Sequence, residues 1–229
     1  ILWSNAANVL SGVANSEISF SSGSSLTSGG GAIVLAGGLD DGGISSGLGG
    51  LTSGDGIPDG FAYRGGAGYG GAGVNFAGSN TIDSGGGNII VRGQGSSSTS
   101  GVVTGGTWSF SSGSGDITFN GIATTQSGVN FTSSGTGAVT TTSGNINIVG
   151  SADSSGHSGS LPYQGVQTSG AGTVTISSAS GNISLIGSGS RYGVGFGTST
   201  TASSSTTTKI SSGSSDANAI EITGTGGHG

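Results

Sequence analysis

Apolar residues in this chain alternate with small polar residues in short runs that begin and end at glycine. The clearest runs share a glycine, then Asn or Asp, then Ile and apolar residues at alternate positions; they are residues 87–93, 115–121, 144–150 and 181–187. Looser copies lie at 31–37 and 218–224. A period of two predicts β-strands with one buried face, and the return of the pattern predicts a stack of similar units.

Short strands of the same character precede each Ile-rich run. They include Ile18-Ser19-Phe20, Val74-Asn75-Phe76 and Val129-Asn130-Phe131, and others are predicted at 80–83, 136–140 and 173–176. Strands this short are not stable alone. We therefore expect each strand to pair in register with its copy one coil away, about 4.8 Å along the stack. The predicted fold class is all-β, a parallel β-helix (β-solenoid) with Ile, Val, Leu and Phe inside.

Three irregular segments interrupt the repeat, near residues 37–73, 151–164 and 198–208. In solenoids such insertions leave the stack as loops and often carry the specific function. The chain contains no Met and begins with Ile1-Leu2. We therefore expect residues 1–229 to form a single β-solenoid segment, with loop insertions, of a longer processed chain.

The composition bears on both order and partners. Glycine supplies 54 of the 229 residues, which alone would suggest a disordered linker, but regular placement of the 31 % hydrophobic residues predicts ordered β structure. Charged residues are only 6 % and the net charge is −6, without a basic cluster, so nucleic acid and anionic lipid are not expected partners. No apolar run predicts a membrane-spanning helix, and there is no cysteine for a disulfide or thiolate metal site.

Asp55 and Asp59, in the Asp-Gly-Ile-Pro-Asp-Gly segment 55–60, are the candidate metal ligands. Carboxylates and backbone carbonyls of Asp-rich turns bind calcium, and Asp40 and Asp41 would add ligands if the loop folds back. The alternative is a polar turn without metal, in which Pro and Asp-Gly supply only turn geometry. No other cofactor is expected.

Asn88, Asp116, Asn145 and Asn182 occupy the same place in successive runs. They have two interpretations: a row of ligands, or a structural ladder in which side chains of adjacent coils satisfy turn amides. We favour the ladder, since Asn and Asp tolerate left-handed turn conformations and bond to neighbouring backbone.

Catalytic constellations are not evident. His157 and His228 are isolated in Gly-rich segments, and no nucleophile elbow has credible His and Asp partners. A polysaccharide hydrolase or lyase would need facing carboxylates or a basic groove, and the chain has four basic residues. Trp108 and the tyrosines are candidates for stacking on sugars, although Trp108 beside Phe110 is also typical of core packing. We therefore predict that the protein is not an enzyme.

Residues 1–6 (Ile-Leu-Trp-Ser-Asn-Ala), 29–38 and 82–93 resemble repeat regions of filamentous-haemagglutinin-like proteins. These are large bacterial adhesins, surface-bound or secreted, of the two-partner-secretion type. The resemblance implies a right-handed parallel β-helix, an extracellular or cell-surface location, and a role in adhesion or matrix formation. A host or cell surface, or a matrix polysaccharide, would then be the partner.

Two alternatives remain open. Terminal strands such as Leu2-Trp3 and Ile220-Glu221-Ile222 predict open sheet edges that must be covered by other copies of the chain or by further repeats, end to end. The first alternative is therefore a self-assembling extracellular filament subunit. The second is a carbohydrate-binding or carbohydrate-active β-helix of the phage-fibre kind. An ice-binding solenoid would need a regular Thr-x-Thr ladder, which the Thr runs at 140–142 and 206–208 do not make.

Overall fold

The computed structural model describes residues 2–3, 9–14, 16–37, 62–63, 71–95, 99–152, 164–190, 192–197 and 205–226. All regular structure in these residues is β: twenty-one short strands in three sheets. Strands pair in parallel throughout. The predicted all-β parallel solenoid is confirmed.

Each sheet is a column of strands that come from successive turns of the chain. Sheet A contains β1 (Leu2–Trp3), β4 (Ser24–Ser28), β8 (Asn80–Asp83), β11 (Trp108–Gly113), β14 (Thr136–Thr141), β17 (Thr173–Ser178) and β20 (Thr207–Ser212). Sheet B contains β2 (Leu10–Ala14), β5 (Ile33–Gly37), β9 (Ile89–Gln94), β12 (Ile117–Ala123), β15 (Ile146–Ala152), β18 (Ile183–Gly189) and β21 (Ile220–Gly226), with β6 (Ala62–Tyr63) also paired to β9. Sheet C contains β3 (Ile18–Phe20), β7 (Val74–Phe76), β10 (Val102–Thr104), β13 (Val129–Ser133), β16 (Gln164–Gly170) and β19 (Tyr192–Gly195).

The chain visits the sheets in the fixed order C, A, B, and one such passage is a coil. Among the described strands six coils are complete, from coil 1 (β3, β4, β5) to coil 6 (β19, β20, β21). A partial coil, β1 and β2, precedes them. Because each strand pairs with its copy in the next coil, the hydrogen bonds of all three sheets run along the stack.

The core consists of columns of apolar side chains from the inner faces of the strands. The Ile that opens each sheet B strand pairs with the next one along the stack: Ile33, Ile89, Ile117, Ile146 and Ile183, all 0 % exposed. The repeat predicts that Ile89, Ile117, Ile146 and Ile183 line one interior stack, and this is confirmed. Each such burial contributes roughly 1.5–3 kcal/mol of transfer free energy.

An aromatic cluster fills the core of the first four coils. Phe20 stacks on Phe76 with ring centroids 4.9 Å apart, and Phe119 meets Phe131 edge to face at 5.0 Å. Trp108 is only 2 % exposed and its indole Nε1 donates to the carbonyl of Thr132 at 2.7 Å. Trp108 therefore packs in the core and is not a sugar-stacking surface.

The predicted insertions lie in connections between strands of different sheets. Segments 37–73 and 151–164 both connect a sheet B strand to the next sheet C strand, whereas 198–208 connects β19 to β20. Most of their residues lie outside the described part of the chain. Of the first segment, Ala62–Tyr63 forms β6 beside β9, and the last ends within β20.

Candidate functional site

The candidate calcium ligands Asp55 and Asp59 lie outside the described residues, as do Asp40, Asp41 and both histidines. Within the described ranges, no group of three or more His, Cys, Asp or Glu is placed to hold a metal ion. The calcium site therefore stays a prediction.

The row of Asn and Asp residues is a ladder between coils. The backbone N–H of Asp116 donates to Asn88 Oδ1 at 2.9 Å, that of Asn145 to Asp116 Oδ1 at 2.7 Å, and that of Asn182 to Asn145 Oδ1 at 2.9 Å. Asn182 Nδ2 then donates to Asp216 Oδ2 at 2.9 Å. These side-chain oxygens serve the backbone, as the structural interpretation predicts.

One part of that interpretation was wrong. Among the described residues, only glycines have a positive φ. Gly85 (φ 64°), Gly86 (φ 132°) and Gly113 (φ 63°) lie just before ladder positions and make the turn. Asn88 and Asp116 therefore keep ordinary backbone conformations while their side chains bond to the next coil.

The ladder belongs to the A-to-B corner, which we define as residues 84–88, 112–116, 141–145 and 178–182. Here a hydroxyl at the end of the sheet A strand closes the turn: Thr141 Oγ1 donates to the carbonyl of Gly144 at 2.6 Å. Ser28 makes the same bond to Gly31 at 2.7 Å, and Ser112 makes it to Gly115. A Cβ on Gly144 would overlap the carbonyl of Gly115 in the preceding coil. Glycine is therefore required there by close stacking.

The B-to-C corner, the connection from each sheet B strand to the following sheet C strand, is built differently. At this corner a buried glycine of sheet B faces a buried glycine just before sheet C. A Cβ on Gly128 would lie 2.5 Å from the carbonyl oxygen of Gly121, and one on Gly165 would lie the same distance from that of Gly150. The two backbones are thus in direct contact at this corner.

A groove of about 340 Å³ lies beside the outer face of sheet C, against the B-to-C corner. Asn75, Val103 and Asn130 lie one above another in register in coils 2, 3 and 4. Thr99 and Gln126 also line the groove, each three residues before the start of its sheet C strand, as does Glu17 of coil 1. Equivalent positions of successive coils therefore line a groove along the stack axis.

The polar groups of the groove are partly engaged with each other. Asn75 Nδ2 donates to Glu17 Oε1 at 3.1 Å, while Asn75 Oδ1 has no donor among the described residues. Asn130 Oδ1 accepts from Ser169 Oγ at 2.9 Å and from Thr132 Oγ1 at 3.2 Å, which leaves Asn130 Nδ2 without an acceptor there. The groove thus combines a fixed scaffold with unsatisfied amide donors and acceptors.

Sequence reasoning missed this groove. The only signal was the near-copy of Val74-Asn75-Phe76 in Val129-Asn130-Phe131, where Asn replaces the Ser or Thr usual at outer positions. It also missed Gln164, which is 0 % exposed and has no hydrogen-bond partner for Oε1 or Nε2. Gln164 occupies the position in the stack that Ser127 occupies one coil earlier. This equivalence can be recognised only when the strand register is known.

In the described part of the chain, the last coil leaves apolar inner positions exposed. Ile220 and Ile222 continue the inner columns of Ile183 and Leu185, which are 0 % exposed, yet are themselves 41 % and 46 % exposed. Phe196, just after β19, is 41 % exposed. These side chains point along core columns that no described strand covers.

Comparison of the chain with family models, with curated proteins and with solved structures found no match. Nor does the described part of the chain contain a helix of the length and hydropathy that crossing a membrane requires.

Proposed function

We propose that this chain is a structural β-solenoid segment of a bacterial surface-bound or secreted adhesin or fibre, with a role in adhesion or matrix formation. The observation that supports it is the unbroken pairing of all three sheets through six coils. Such a stack is a rod whose length grows by about 4.8 Å per coil. A rod of this kind holds contact surfaces at a distance from the cell.

The contact surfaces that we propose are its outer faces and the variable segments at the B-to-C corner. Outer positions carry Ser, Thr and Asn with few charges, so the rod meets water and partners through hydroxyl and amide groups. A host surface or matrix polysaccharide is the partner that such groups suit, and the location we propose is extracellular.

Two measurements test this role. Antibody against the folded chain should label intact cells of the source organism, and beads coated with the chain should attach to polysaccharide-coated surfaces more than uncoated beads. Beads that carry Ile146→Asp, which disrupts the core, should lose that attachment. Label confined to permeabilised cells, or attachment unchanged by Ile146→Asp, would contradict the proposal.

A second candidate is a self-assembling filament subunit, and the exposed apolar side chains of coil 6 support it. All pairings are parallel, so the free edge of coil 6 and the free edge of β1, β2 and β3 have compatible polarity. If a second copy continues the columns, Leu10 follows Ile220 and Ile18 follows Val194, because Leu10 pairs with Ile33 and Ile18 with Val74. Apolar side chains then meet apolar side chains across the joint.

Microscopy and light scattering over a range of concentrations test this assembly. The chain should form filaments with an axial repeat near 4.8 Å, and Ile222→Lys should prevent them by placing a charge in the joint. Thr223→Lys, next to it but on the outer face, is the control and should still assemble. A chain that stays monomeric at high concentration would contradict head-to-tail assembly and favour further repeats of a longer chain as the cover.

A further inference from the structure

The groove along sheet C has a shape suited to a linear ligand. Its floor comes from equivalent positions of coils 2, 3 and 4, which follow one another about every 4.8 Å along the axis. A compact ligand would use only part of such a trough. An extended polymer lying parallel to the rod axis would contact all three coils.

The floor alternates polar and apolar groups in a manner that fits sugar rings. Val103 lies between Asn75 and Asn130 in the same column and offers an apolar contact, while the two amides flank it. The unpaired Asn75 Oδ1 accepts a hydroxyl proton, and Asn130 Nδ2 donates to a hydroxyl oxygen. Gln126 makes no hydrogen bond to the described residues and adds one more amide to the lining.

The charge of the lining indicates an uncharged ligand. No Lys, Arg or His is among the described lining residues, and the single acid, Glu17, already accepts from Asn75. An acidic polymer would therefore find no cation and one carboxylate, whereas a neutral polyol finds amides and hydroxyls. We propose that the groove bounded by Glu17, Asn75, Val103, Gln126 and Asn130 binds an uncharged, linear polysaccharide chain lying along the rod.

The groove binds this chain without cleaving it. Glycosidic hydrolysis uses two carboxylates on opposite sides of the bond, and among the described lining residues Glu17 stands alone. The inference deepens the adhesive role proposed above by naming the partner's chemistry. Binding is measured on the isolated chain. A lack of polysaccharide binding would therefore contradict this inference without contradicting the proposed rod or its extracellular location.

Titration calorimetry and NMR with cellohexaose and chitohexaose as neutral probes, and hexagalacturonate as the acidic probe, test the site. A neutral hexaose should bind and hexagalacturonate should not. Gln126→Ala should weaken binding roughly five-fold through the loss of one hydrogen bond. Val103→Arg, which fills the floor, should abolish binding, and the probe should be recovered at full length.

Asn147→Ala is the matched control, because Asn147 is an exposed outer-face amide of sheet B, away from the groove. It should leave affinity unchanged, and circular dichroism should show that every variant is folded. Three results would overturn the proposal: no binding of either neutral probe at millimolar concentration, binding that Gln126→Ala and Val103→Arg leave unchanged, or preference for hexagalacturonate.

Discussion

The A-to-B and B-to-C corners both connect strands of neighbouring sheets, but the first has a constant length in coils 2 to 5 and the second does not. At the A-to-B corner the same number of residues separates Ser112 from Ile117, Thr141 from Ile146 and Ser178 from Ile183. At the B-to-C corner the lengths differ widely, and the two segments 37–73 and 151–164 lie there. The regular pattern visible in the sequence therefore reflects the A-to-B corner, and its irregular spacing reflects the other two connections, above all the B-to-C corner.

The physical difference lies in what fixes each turn. The A-to-B corner is held within the coil by a hydroxyl-to-carbonyl hydrogen bond and between coils by the Asn and Asp ladder. Successive turns in coils 2 to 5 therefore keep the same length. The B-to-C corner is fixed where two glycine backbones meet, as at Gly121 and Gly128, and by backbone bonds between coils just before sheet C, such as that from Gly101 to Ser127. Between those fixed points, added length costs only loop entropy, about 0.6 kcal/mol per doubling.

The largest effect should follow from a charge in the core next to the A-to-B corner. Ile146→Asp places an unpaired carboxylate in a fully buried column, and we expect a loss of about 4 kcal/mol or complete unfolding. Asn147→Asp, one residue further on the exposed face, should change stability by less than about 0.5 kcal/mol. Urea denaturation followed by circular dichroism measures both; equal effects would mean that the inner and outer faces are misassigned.

Insertions of equal length should lower the folding stability by different amounts at the two corners. Six Gly and Ser residues placed between Thr142 and Ser143 break the bonds of both backbone amides to Gly113 and the Thr141–Gly144 bond, at a cost of roughly 2–4 kcal/mol. The same six residues between Thr124 and Thr125, in the B-to-C corner, should cost under about 1 kcal/mol. Thermal unfolding of the two variants measures this difference, and equal tolerance would remove the distinction between the corners.

A methyl group added at the glycine contact should show whether the B-to-C corner requires glycine for its stability. Gly165→Ala places a Cβ 2.5 Å from the carbonyl oxygen of Gly150, so the backbone must shift, and we expect a loss of about 1–3 kcal/mol. Gly105→Ala is the control, since its Cβ would lie an ordinary 3.4 Å from the amide of Gly78. If both variants unfold at the same urea concentration, the paired glycines are not needed for contact.

The smallest loss of folding stability should come from the removal of one hydrogen-bond acceptor from the Asn and Asp ladder. Asn145→Ala removes the acceptor for the Asn182 amide in an exposed turn, which should cost about 1 kcal/mol. Asn145→Asp keeps an oxygen in place, as Asp116 does one coil earlier, and should retain most of the stability. Hydrogen exchange of the Asn182 amide measures the bond itself: it should accelerate in Asn145→Ala and not in Asn145→Asp.

The sequence predicts those features that repeat with the coil. Period-two alternation identifies the inner face, and the recurring Gly-Asn-Ile pattern places Ile89, Ile117 and Ile146 in one column. The three-sheet partition was not predicted, since the ladder spacing is not constant and varies from 28 to 29 to 37 residues. The groove was not predicted either, because it joins residues as far apart as Glu17 and Asn75, 58 positions in sequence, which only the register brings together. Calcium at Asp55 and Asp59, the adhesive role and the right-handed coil implied by the resemblance stay predictions.

The orientation of the hydrogen bonds along the axis has a mechanical consequence. Under a pull along the stack axis, coils can detach one at a time while the coils beneath keep their pairing. A coil such as the 28 residues from Asn88 to Asp116 then releases about 90–100 Å of extended chain. Since the six stacked coils span only about 30 Å, one detached coil lengthens the molecule several-fold. Under tension the rod would therefore yield in discrete steps and dissipate work, while the unpeeled remainder stays stiff.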